Sequence, residues 1–111
     1  MRGSIIRNVK TICTNATMQD LSLDALPADV VIHWDEVQAI DRDNTTTLTE
    51  VGVKRGREFY SFRTGTPGAA ARGISLSGGF WAPGDYIPTA RFWGATAADV
   101  LELHVCGVQE D

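Results

Sequence analysis

Apolar and polar residues alternate with a period of two along most of this chain, the pattern of strands that turn one face to a core. Residues 5–14 open the series, with Val9, Thr11 and Cys13 on one side. A turn at Leu26-Pro27-Ala28-Asp29 leads into a long strand over residues 30–40. Its apolar set Val30, Ile32 and Trp34 changes phase to Val37 and Ala39 across Asp35-Glu36, which predicts a bulge or a bend at that point. Asp41-Arg42-Asp43-Asn44 reads as a turn of residues that bond their own backbone. Strands over residues 45–54 and 57–64 follow. The tight hairpin between them, Lys54-Arg55-Gly56-Arg57, relies on Gly56 for a positive φ.

Residues 65–73 form a glycine-rich connection, and strands over 74–80, 86–92 and 100–108 complete the set. A sharp turn, Trp81-Ala82-Pro83-Gly84-Asp85, separates the first two of these. One stretch is ambiguous. Leu21, Leu23 and Leu26 suit a short helix capped by Asp20 and ended by Pro27, and they suit a strand equally well. Seven or eight strands at this spacing predict an all-β fold, a single antiparallel β-sandwich or jelly-roll-like domain over residues 1–111. Residues 1–4 are expected to form a flexible arm. Strand order is not written in the alternation, so sandwich and jelly roll both stay open.

Composition narrows the class. A chain of 111 residues buries roughly 65% of its unfolded surface, enough for a core without staples. Apolar and charged fractions of 43% and 22% are ordinary for a globular domain. The net charge of −4 argues against a general affinity for nucleic-acid phosphate or anionic membrane. No apolar run approaches the ~20 residues of a membrane helix. The first residues lack the pattern of a signal peptide. Cys13 and Cys106 are therefore expected as buried thiols rather than a disulfide, and the sequons at Asn15 and Asn44 as chance matches.

Candidate chemistry is sparse. His33, His104 and Cys106 offer three zinc ligand types, but the paired spacing of a structural zinc site is missing, and no metal or cofactor is expected. Cys106, His104 and Asp99 resemble a thiol-nucleophile set. Residues two apart on a strand point the same way without meeting, and nothing marks an oxyanion hole, so no catalytic residue is assigned. Asp41 to Asn44 with Glu50 resembles a calcium loop, yet it lacks the glycine at the sixth position and a turn explains it. The glycine-rich segment has no Gly-Lys-Ser/Thr ending and is no phosphate loop. Lys54, Arg55 and Arg57 beside Phe59 and Tyr60 suggest a nucleic-acid patch, which the overall acidity counts against.

The aromatics say more. Phe80, Trp81, Tyr86, Phe92 and Trp93 fall close together in the chain. Phe80 and Phe92 are assigned to the core. Trp81, Tyr86 and Trp93, with Arg55 and Arg57, are the candidate partner-binding residues.

Across residues 26–108 the layout resembles small β-sandwich structural proteins of tailed bacteriophages. The likeness rests on the turn at residues 26–29, the long strand after it, and Thr-rich hairpin strands. Trp81-Ala82-Pro83-Gly84-Asp85-Tyr86 and the last strand, Asp99 to Val105 ending at Gly107, complete it. The extra N-terminal strand departs from that layout, and the motifs are weakly specific. The resemblance implies a non-enzymatic virion protein assembled in the host cytoplasm, most simply a capsid decoration (cement) protein that bridges capsid subunits. A head-tail adaptor or ring component is its variant. Implied partners are the major capsid protein or connector, and further copies of the chain, a trimer above all. Two rival classes remain: a carbohydrate-binding sandwich using Trp81, Tyr86 and Trp93 as a stacking platform, and a cupin-like enzyme, ranked last for want of histidines.

Overall fold

The structure is a computed structural model that describes residues 2–24, 26–44, 47–66 and 73–110. Eight strands are present among them. They are β1 (Arg2–Ile12), β2 (Met18–Ser22), β3 (Val31–Asp41), β4 (Leu48–Arg55), β5 (Glu58–Gly65), β6 (Ile74–Pro83), β7 (Ile87–Trp93) and β8 (Val100–Glu110). The ambiguous stretch is a strand: Leu21 pairs with Ala90 of β7, and ladder bonds decide against the helix. Residues 45, 46 and 67–72, which fall in two of the segments read above, lie outside the described residues.

One sheet has the order β1-β8-β3-β6 and the other β2-β7-β4-β5. Pairs 1–8, 2–7, 3–6 and 4–5 are all antiparallel. The chain is thus one long hairpin rolled upon itself, with partners dealt alternately to two facing sheets. That order is a jelly roll.

Residues 2–4 are not a free arm. Arg2 pairs with Glu110, Gly3 with Gln109 and Ser4 with Val108, because the last strand runs long enough to give them ladder partners. The cysteines are free thiols, as expected of a chain with no disulfide. Cys13 is buried, whereas Cys106 is half-buried on the outer face of the first sheet.

The core lies between the sheets. Ile32, Trp34, Val37, Leu101, Leu103 and Val105 of the first sheet meet Leu21, Val51, Ala90 and Phe92 of the second. Alternation alone would send Trp34 and Val37 to opposite faces. The register shift between Trp34 and Glu36 lets both point inward, where the phase change predicted it. The disturbance grows across the sheet. While β3 goes from Trp34 to Glu36, β8 goes only from Gly107 to Cys106, and β6 goes from Phe80 to Ser77. The additional β6 residue is accommodated at Gly78 and Gly79, whose φ values of 95° and 81° suit glycine. The two glycines set the aim of Phe80 and Trp81 immediately after them.

Trp34 is fully buried, and its indole Nε1 has no hydrogen-bond partner among the described residues. Such an orphan donor costs about 1–3 kcal/mol, while the ring's packing is worth more. Trp34→Ala is expected to lose about 3–5 kcal/mol in urea unfolding. Trp34→Phe should lose clearly less, because it removes the orphan donor while keeping an aromatic ring. Equal losses for the two variants would mean that the ring kept by phenylalanine adds no packing at this position.

Candidate functional site

The edges of the two sheets meet unevenly at β5 and β6. Both are edge strands, and six of the eight residues of β5 are exposed. The hairpin before β5 turns as expected, with Gly56 at φ 61°. A register shift opposite Val51 and Gly52 leaves Phe62 as the extra residue of β5. Gly52 is needed there, since a Cβ would lie 1.9 Å from the Tyr60 carbonyl oxygen. Tyr60 and Phe62, two residues apart, both turn toward β6 as alternation requires, and the bulge brings Arg63 to the same side.

Between these edges lies a cleft of about 490 Å³ lined by Tyr60, Phe62, Phe80, Trp81 and Tyr86, with Val53, Ala82 and Pro83 completing its walls. Phe62 meets Phe80 edge to face, with centroids 5.2 Å apart at 82°. Tyr60 and Tyr86 lie 6.4 Å apart. Trp81 is 59% exposed, held by the edge of the His33 ring at 4.7 Å, and His33 is itself fixed by a 2.8 Å bond between Nδ1 and Asp35.

Polar groups gather at the lip. Arg55 donates to the Tyr86 hydroxyl at 3.2 Å, pairs with Asp85 at 3.2 Å and covers the Tyr86 ring at 5.2 Å. Tyr60 donates its hydroxyl to Glu58 at 2.6 Å, and this bond chiefly raises the phenol's pKa. Arg63 spans the two edges by donating to the Ser75 carbonyl at 2.7 Å. The eight lining residues include no carboxylate, histidine, serine or cysteine. What the cleft offers is aromatic stacking, apolar contact and a lip of paired charges.

Of the five residues singled out by sequence, Trp81, Tyr86 and Arg55 come together here, and Arg57 stands exposed at the hairpin tip beside them. Trp93 does not join them. It ends β7, about 20 Å of extended chain from Tyr86, where its Nε1 donates to Glu50 at 2.7 Å. The platform of Trp81, Tyr86 and Trp93 is therefore not formed. Phe92 is in the core as assigned, but Phe80 is only half-buried and packs on Phe62 at the cleft. Sequence reasoning missed Phe62 and the role of Tyr60. The available signal was Phe59-Tyr60-Ser61-Phe62, aromatics on both parities of one strand.

The zinc and thiol sets are not assembled. His33 binds Asp35, while His104 sits between Asn8 at 2.7 Å and Glu102 at 2.8 Å. Among the described residues, the carboxylates close enough to share an ion are Asp41, Asp43 and Asp99, within 4.8 Å of one another. Backbone and hydroxyl donors account for each. Asp41 accepts from Thr47 Oγ1 at 2.7 Å and the Asp43 N–H at 3.1 Å, Asp99 from the Thr96 N–H at 3.1 Å, and Asp43 from the Val100 N–H at 2.8 Å. They tie the 41–44 turn to the start of β8.

No protein-family model, curated protein or solved structure matches the chain. The likeness to tailed-phage proteins stands on its turn and strand pattern alone.

Burial, and then the neighbouring Asp99 carboxyl, raise the Asp41 pKa above its usual 3.8. The folded chain thus binds this proton more tightly than the unfolded chain. The stability it contributes is full below pH 3.8 and is lost as pH rises through the folded value. Glu102 works the other way. The Arg42 bonds hold it below its usual 4.5, so its stabilisation is present above 4.5 and lost as pH falls through the folded value. Asp41→Asn is expected to be more stable than the parent chain at neutral pH, with the gain vanishing below pH 3.8. Urea melts at the two pH values measure it, and a less stable variant at neutral pH would show that the ionised carboxylate is required.

Proposed function

We propose that this chain is a non-enzymatic virion structural protein, most simply a capsid decoration protein that binds across neighbouring capsid subunits and stabilises the shell. The observation that carries this reading is the aromatic edge. Tyr60 and Phe62 of the largely uncovered strand β5 and Trp81 of β6 are 42%, 48% and 59% exposed around one cleft. Monomeric surfaces rarely keep such clustered aromatics unless another molecule covers them. The jelly roll supports the reading at the level of fold only, since viral shells, lectins and cupins all use it. Stabilisation would follow from mass action, because a ligand that binds only the assembled lattice adds its binding free energy to that lattice. No cofactor or metal enters this role.

A second reading has its own observation. Trp81 and Tyr86, with the phenol of Tyr60 and the Arg55 guanidinium, resemble a sugar-stacking surface. It places the chain among carbohydrate-binding modules.

Proteomics of purified particles from a tailed phage that encodes the chain tests the first reading. The chain is expected in many copies per particle, and particles that lack it should rupture at lower temperature. Its absence from purified particles would overturn the virion role. Glycan-array binding that is lost in Trp81→Ala, together with that absence, would establish the second reading instead.

A further inference from the structure

The surface carries a second apolar feature, unlike the first in both charge and direction. On the outer face of the first sheet, Ile6, Cys106 and Glu36 stand in one row across β1, β8 and β3. Ile6 is 70% exposed beside a hollow of about 180 Å³. Glu36 at its border is exposed and makes no side-chain bond among the described residues, and Asp35 next to it, bonded to His33, adds a second carboxylate. At the aromatic edge the uncommitted charge is the opposite one. Arg57 stands exposed at the hairpin tip two residues from Arg55, with no side-chain partner among the described residues, on a chain whose net charge is −4.

We propose that these two surfaces bind each other between copies of this chain, the aromatic edge of one copy seated on the Ile6 face of the next, in a small closed ring. This rests on the reading that the aromatic edge is a protein contact. The charges are complementary, the Arg57 side facing the Glu36 side. Strand addition at the edge is disfavoured, because β5 and β6 both carry bulges, which blunt an edge against backbone pairing. Side-chain docking is what remains. The contact joins unlike patches, so it is heterologous and generates a ring or a filament. An edge and a face of one sandwich look out roughly at right angles, and a turn of that size closes after about three or four copies.

Light scattering behind a sizing column tests it on the full chain. The wild type is expected at three or four times 12.0 kDa. The edge variant Tyr60→Ser/Phe62→Ser and the face variant Ile6→Arg should each be monomeric, with circular dichroism spectra unchanged. Mixed in equal amounts they should form a dimer, because each retains the surface that the other has lost. Arg57→Glu or Glu36→Arg alone should weaken association about tenfold, and the two together should restore it. A monomeric wild type at high micromolar concentration would overturn the ring, and so would an Ile6→Arg variant of unchanged mass or a mixture that stays monomeric. A monomeric chain that is nevertheless abundant in purified particles leaves the virion role standing without the ring. A ring-forming chain missing from particles does the reverse.

Discussion

Between Trp34 and Glu36 the chain meets two demands at once: Trp34 and Val37 must both reach the core, and Asp35 and Glu36 must both stay in water. A regular strand satisfies neither, because each pair is split between its two faces. The register break resolves the conflict, and its consequences spread outward. The β6 edge has to make room for an added residue, which is why Gly78 and Gly79 occur there with positive φ. Phe80 then faces inward to meet Phe62 while Trp81 faces outward against His33. The cleft is a downstream product of how the core tryptophan is accommodated.

A second bulge, at Phe62, interrupts the ladder on the other wall, so both edges that flank the cleft are irregular. The same irregularity protects the sheet from open-ended strand pairing while leaving its side chains available.

Charges divide into those that hold the fold and those that do not. Asp20 joins three elements, bonding Arg91 at 2.8 and 3.0 Å and Lys54 at 3.1 Å, and Arg91 in turn covers Phe59 at 4.5 Å. Burial pushes the Asp20 carboxyl up, but these bonds together bring it below its usual range. Glu102 collects Arg42 and His104 on the opposite sheet. These pairs are partly buried and hydrogen-bonded, and they tie neighbouring strands together on the outer faces of the two sheets. Arg57 and Glu36 take no part in either network.

The sequence by itself determined the strands. Period-two alternation is a local property, and it placed the β3 bulge at Asp35-Glu36, the Gly56 hairpin and the final strand from Val100 before any coordinates. Phe92 was legible as core for the same reason. Only the tertiary structure decided strand order, and with it the jelly roll, because pairing between β1 and β8 joins residues about a hundred positions apart that no local pattern links. It also decided the site. Trp81, Tyr86 and Arg55 meet Tyr60 and Phe62 across two sheets, while Trp93, neighbouring them in sequence, is carried to the far end of β7 by seven residues of extended chain. Nearness along a strand separates side chains by about 3.3 Å per residue, and only the rolling of the hairpin brings distant ones together.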